Sequence, residues 1–200
     1  MSGRVIAVVG PSGVGKDTVM QGLHAALPKS HLVRRVITRT AGAVGEDFDA
    51  VTQREFDALV QNDAFSVHWR AHGLSYGIPK TIKAELDQGK DCLVNFSRGA
   101  LTEAAREFPD LVVLNVTAAP ETIATRLTAR DRETADEIAQ RIAVSQKDLP
   151  PGLDVRYLSN DGPISETIAR AIALLCLQAA PDPAGPDQTD HGRPRTVNAR

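Results

Sequence analysis

Val5-Ile6-Ala7-Val8-Val9-Gly10-Pro11-Ser12-Gly13-Val14-Gly15-Lys16-Asp17-Thr18 decides how the rest of this sequence is read. The apolar run over residues 5–9 predicts a buried strand, and the pattern after Thr18 predicts a helix. The helix is expected to open at Asp17 or Thr18, to turn Val19, Leu23, Ala26 and Leu27 to one face, and to stop at Pro28. Between them lies G-x-x-x-x-G-K in a strand–loop–helix setting. Glycines at 10, 13 and 15 let the backbone curl so that successive N–H groups and the helix N-terminus address an anion. Lys16 adds a mobile positive charge.

Working outward, further strands are expected over residues 32–37, 92–96, 111–116 and 155–158, with helical patterns between them. A helix over residues 53–62 follows Thr52 as N-cap and buries Phe56, Leu59 and Val60. Pro120 opens another with Ile123 and Leu127 inward, Thr134 to Glu137 form a capping box, and a last helix covers residues 164–177. The alternation predicts an α/β protein: a three-layer fold around a mainly parallel central sheet. Residues 1–180 read as one domain. Residues 181–200, rich in Pro, Gly, Asp and Arg, read as a disordered tail.

The 200 residues are 42% hydrophobic, which suffices for one core of ordinary size. A net charge of -2 provides no basic field for duplex nucleic acid, so polynucleotide is not expected as a partner. No apolar stretch reaches the length of a membrane span or a secretory signal, and Cys92 and Cys176 sit in apolar runs as expected for free thiols. The expected location is the cytoplasm.

Other nucleotide-handling classes are tested by what the chain lacks. Gln146-Lys147-Asp148 is the nearest string to the guanine-reading motif of GTPases and lacks its asparagine. The central strand patterns lead to Ser97 and Thr117 instead of the metal-binding acid of motor ATPases. A small-molecule kinase remains. Asp17 stands where a serine or threonine hydroxyl usually reaches Mg²⁺. Thr18 can take that role, Asp17 can approach the metal directly or through water, or Asp17 is only a favourable charge at a helix start. Downstream, Arg126, Arg130, Arg132 and Arg141 cluster in a helix–loop–helix pattern. Arginines on a closing segment neutralise a transferring phosphoryl group and exclude water.

The order of phosphate loop, Ile37-Thr38-Arg39, Gly45-Glu46, His72-Gly73, Tyr76-Gly77, a strand ending near Ser97 and the arginine cluster resembles guanylate kinases over about residues 4–170. Aligned so, a guanylate kinase would carry a glutamate near Val67 and an aspartate near Ser97 to read guanine; both are absent here. Gly15-Lys16-Asp17, Val36-Ile37-Thr38-Arg39, Glu46-Asp47, Trp69, His72-Gly73-Leu74, Leu93-Val94-Asn95, Ser97-Arg98 and Arg130-Asp131-Arg132-Glu133 instead resemble the ribose 1,5-bisphosphate phosphokinases of bacterial phosphonate degradation. That resemblance implies that residues 1–180 form a small-molecule kinase domain, a three-layer P-loop kinase fold with an acceptor-binding insertion and an arginine-rich lid, with ATP and Mg²⁺ at residues 10–18, Asp17 and Thr18 toward the metal, and lid contacts from Arg130, Arg132 and Arg141. It implies a phosphorylated sugar as acceptor, its phosphate held by Arg39 and Tyr76, with Asn95, Ser97 and Arg98 facing the sugar or its second phosphate.

The residue chemistry agrees. Arg39 can grip a phosphate bidentately, Tyr76 adds a hydroxyl donor, and Arg98 lies at a strand's C-terminal end, where open α/β sheets bind ligands. Glu46, Asp47 and Asp49 can accept hydrogen bonds from ribose hydroxyls or form a solvated acidic loop. Arg39 and Arg98 read otherwise as surface ion pairs, Tyr76 as a core edge, Trp69 as packing and His72-Gly73 as a turn. Two rivals stand beside the phosphokinase reading: a guanylate or other nucleoside monophosphate kinase, and an inactive guanylate-kinase-like interaction module.

Overall fold

A computed structural model of the chain describes residues 2–39, 47–128 and 148–176. Within them the chain runs β1 (Val5–Val9), α1 (Lys16–Ala26), β2 (Ser30–Leu32), β3 (Arg35–Ile37), β4 (Phe48–Ala50) and α2 (Gln53–Gln61). It continues with β5 (Phe65–Ala71), β6 (Leu74–Pro79), α3 (Ile82–Asp87), β7 (Asp91–Asn95) and α4 (Leu101–Glu107). β8 (Val112–Thr117), α5 (Pro120–Thr128), β9 (Asp154–Ser159) and α6 (Ile164–Cys176) complete it. The 134–137 capping box, Arg130, Arg132, Arg141, Glu46 and the tail lie outside the described residues.

β1 is apolar at every position because both of its faces are covered. Ile6 and Val8 meet Val19, Met20 and Leu23 of α1 and Ala171 and Leu175 of α6. Val5, Ala7 and Val9 meet Ile82 of α3 and Leu101 and Ala104 of α4. The result is helix, sheet, helix. The five strands between are parallel, in the order β2-β7-β1-β8-β9. Leu23 is fully buried, and truncating such a side chain to alanine costs about 2–5 kcal/mol.

Two expectations for the first third of the chain are corrected. α1 opens at Lys16, one residue before the expected start, and it buries Met20 while Ala26 is exposed. Residues 32–37 are not one strand: β2 edges the parallel sheet, and β3 belongs to a second sheet ordered β4-β3-β6-β5. The break falls where Val33 N–H still bonds Leu93 O at 3.0 Å while Arg34 turns out to Asp47 and Asp49. A run of apolar residues carries no mark of such a change of partner.

The second sheet is the expected insertion, and its β5–β6 hairpin adds two strands to those expected. Its connection is His72-Gly73, both at positive φ (52° and 74°), the backbone of a two-residue hairpin turn. A register shift between Phe65 and Val67 interrupts the pairing with β6. Phe65 packs with Phe56 and Val36 beneath α2, whereas Val67 packs with Ile78 and Phe96 in the main core. The bulge thereby lets one strand serve two cores. Thr52 caps α2 as expected, in a reciprocal capping box with Glu55.

Candidate active site

α1 begins without any side chain capping it: Gly15 occupies the N-cap in the left-handed region, φ 94°. A β-carbon there would be strained and would lie 2.7 Å from Asn160 Nδ2. At Gly10 a β-carbon would approach the Val116 carbonyl oxygen to 2.4 Å. Glycine is therefore required at both ends of the loop, and the helix N-terminus that follows favours an anion through its dipole. Lys16 Nζ donates to the Gly10 and Pro11 carbonyls, each at 3.0 Å, which draws the ammonium across the loop.

The loop's middle is fastened from outside. Val14 buries its side chain completely, and its carbonyl accepts from Asn160 Nδ2 at 2.8 Å and Arg126 Nη1 at 3.2 Å. Arg126 Nη2 also donates to the Asn160 carbonyl at 2.8 Å. Arg126, grouped in the sequence with the lid arginines, thus holds the phosphate loop to the end of β9. Next to it, the Ser159 hydroxyl and the Ala119 N–H donate to Asp161, each at 2.7 Å, and hold its carboxyl below the usual carboxylate range. Asn160 is 3% exposed and was legible only as a polar residue after a strand.

Of the expected metal ligands, Asp17 is half-buried and accepts from Asn95 Nδ2 at 3.3 Å, while Thr18 is exposed. Asn95, expected beside the sugar, is therefore brought to the phosphate-loop carboxylate. Among the described residues no three His, Cys, Asp or Glu side chains converge on one point. A single carboxylate beside a phosphate cradle nevertheless suits Mg²⁺, which is commonly held by one or two carboxylates, phosphate oxygens and water.

Arg39 and Tyr76, expected to hold the acceptor, stand on or beside the second sheet. β3 pairs Ile37 with Tyr76 of β6, and Thr38 and Arg39 continue from it into a cleft lined also by Thr52, Gln53 and Gly73. Arg39 is exposed and makes no hydrogen bond or ion pair among the described residues. Tyr76 is buried, its ring stacked on Trp69 with centroids 5.3 Å apart and planes 7° apart. The Arg35 guanidinium, also buried, lies 5.0 Å from the Tyr76 ring centre. Trp69 Nε1 donates to Ser97 Oγ at 2.8 Å. Arg98 follows in a short 3₁₀ turn, and burial pulls its guanidinium below its ordinary pKa without approaching neutrality. Asp47 and Asp49, read in the sequence as partners for ribose hydroxyls or as a solvated acidic loop, are engaged by Arg34 at 2.9 and 2.7 Å, which ties the start of β4 to the residue before β3. Arg35 and Asn160 were not among the expected site residues, Trp69 was read as packing, and Arg126 was grouped with the lid arginines.

A lysine-bearing phosphate loop at the C-terminal edge of a parallel sheet, with a second sheet inserted after its first helix and edge strand, is the architecture of a P-loop kinase. Residues 2–161 match the guanylate kinase family. A ribose 1,5-bisphosphate phosphokinase of Ruegeria sp. is 48% identical over 89% of this chain and 94% of its own length. One from Pseudomonas paraeruginosa is 45% identical over 88% and 96%. Guanylate kinase from Anaplasma phagocytophilum shares the fold, with a TM-score of 0.67 over 90% of this chain and 88% of that one at 22% identity. The chain belongs to the ribose 1,5-bisphosphate phosphokinases within the guanylate kinase family.

Proposed function

We propose that the protein transfers the γ-phosphoryl group of ATP to the 1-phosphate of ribose 1,5-bisphosphate, giving 5-phosphoribosyl 1-diphosphate and ADP. A non-bridging oxygen of the acceptor phosphate forms the new bond to the γ-phosphorus as the bond to the β–γ bridging oxygen breaks, and ADP departs with that electron pair. The acceptor phosphate has a second pKa of about 6, so it arrives largely ionised and needs no general base. Its chemistry in this reading is positioning and charge.

In this reading the loop N–H groups and Lys16 hold the β- and γ-phosphates, while Asn160 and Arg126 keep the loop in shape through Val14. Asp17, steadied by Asn95, would face Mg²⁺, which supplies charge neutralisation between the phosphates. Arg39 and the Tyr76 hydroxyl take the acceptor phosphate, and Ser97 and Arg98 lie toward the sugar side. Arg130, Arg132 and Arg141 are assigned to the closing lid from the sequence pattern alone.

One observation carries the choice of acceptor. Val67 is wholly buried in the core and the Ser97 hydroxyl is engaged by Trp69, so neither position offers a carboxylate to a guanine edge. The names of the relatives support the same acceptor. The intact Lys16 and loop speak for an enzyme over an inactive interaction module. Incubation with ATP and each acceptor, with products resolved by phosphorus NMR, tests the proposal. Ribose 1,5-bisphosphate should be consumed and GMP hardly at all; preference for GMP would leave only the kinase class standing.

A further inference from the structure

Trp69 is held on every side that a ligand would use. One ring face stacks on Tyr76, Phe96 lies tilted at 5.4 Å and 36°, and the indole N–H is donated to Ser97. With Tyr76 stacked on it, Phe96 tilted against it and the Arg35 guanidinium 6.0 Å from its centre, the ring is no open platform for stacking a base or sugar. With a hydrogen bond and two ring contacts fixing it, it is a rigid wall. It is nonetheless only half-buried.

Its place gives the wall a use. Trp69 pairs across the hairpin with Tyr76, and Tyr76 pairs with Ile37, two residues before Arg39. On its other side Ser97 stands two residues beyond Asn95, which touches Asp17 of the phosphate-loop helix. The indole therefore joins the acceptor end of the cleft to the phosphate-loop end. Its neighbour on the same strand face, Val67, is fully buried beneath it.

We infer that Trp69 is a specificity-determining residue that limits the acceptor to a compact phosphorylated sugar by filling, with its ring, space a planar base would need and by keeping the Ser97 hydroxyl occupied. Discrimination is a difference of affinities, and bulk that rejects the wrong acceptor counts as much as a contact with the right one. The inference rests on the reading that Arg39 and Tyr76 hold the acceptor phosphate.

Calorimetric titration of GMP and of ribose 5-phosphate into wild-type protein and Trp69→Ala tests it without depending on turnover. The dissociation constant for GMP should fall at least about fivefold in the variant, while that for ribose 5-phosphate does not fall. A merely structural role would weaken both ligands together, and that result, or an unchanged GMP affinity, overturns the inference. Should Trp69→Ala melt below the working temperature, Trp69→Leu retains apolar packing and carries the same two expectations. If wild type binds ribose 5-phosphate but does not turn over ribose 1,5-bisphosphate, the proposed reaction fails while the titrations still decide the role of Trp69.

Discussion

The phosphate loop and the proposed acceptor side are made of different materials. At the phosphate loop the working groups are backbone N–H donors and one lysine within a single short segment, and the side chains that come from afar, Asn160 and Arg126, bind the loop's own carbonyl. At the acceptor end Arg39, Tyr76, Trp69 and Ser97 arrive on four different segments, and the geometry depends on side chains meeting across strands. Binding a polyphosphate asks only for a curled backbone, which sequence can specify locally. Choosing among small acceptors asks for shape, which only packing can specify.

Four variants or treatments probe this contrast, beginning with the largest effect. Lys16→Ala should lower kcat about a thousandfold with the melting temperature unchanged, because its charge acts on the transferring phosphate and not in a core. Steady-state kinetics and calorimetry read both; near-normal turnover would remove the loop from the chemistry. Arg39→Ala should raise the acceptor KM about 10- to 100-fold and leave the ATP KM nearly unchanged, the loss expected for charged hydrogen bonds to phosphate. A change in both constants alike would mean that the two ends are not separable.

Asn160→Ala leaves the buried Val14 carbonyl with a weaker set of donors. It should lower the melting temperature by about 2–6 °C and raise the ATP KM, with the acceptor KM little affected. An effect confined to the acceptor would contradict the assignment of Asn160 to the loop. The smallest effect is expected at Cys92, on the strand that leads to both Asn95 and Ser97. Its thiol is buried and its pKa is pushed up to about 12, chiefly by desolvation, with Glu85 and Asp91 adding to the rise. At mildly alkaline pH it stays a thiol, so alkylation followed by peptide mass mapping should find Cys92 unmodified until denaturant is added. Labelling of the native protein would reveal that β7 opens.

The sequence by itself determined the phosphate loop, because three glycines and a lysine at fixed spacing dictate a backbone path whatever surrounds them. It determined the parallel sheet through strands that are apolar on both faces, and the start of α2 through a capping box closed within four residues. It also marked Arg39 and Tyr76, but could not tell that Tyr76 would be buried in a stack or that Asp47 and Asp49 would be taken by Arg34. Only the tertiary structure decided that 32–37 divides between two sheets, that Trp69 finds Ser97 across 28 positions, and that Asn160 reaches Val14 across 146. Local conformation follows from φ/ψ preferences and neighbouring side chains, whereas these contacts follow from strand order and from the register shift between Phe65 and Val67, where one residue more or less changes which face a side chain meets.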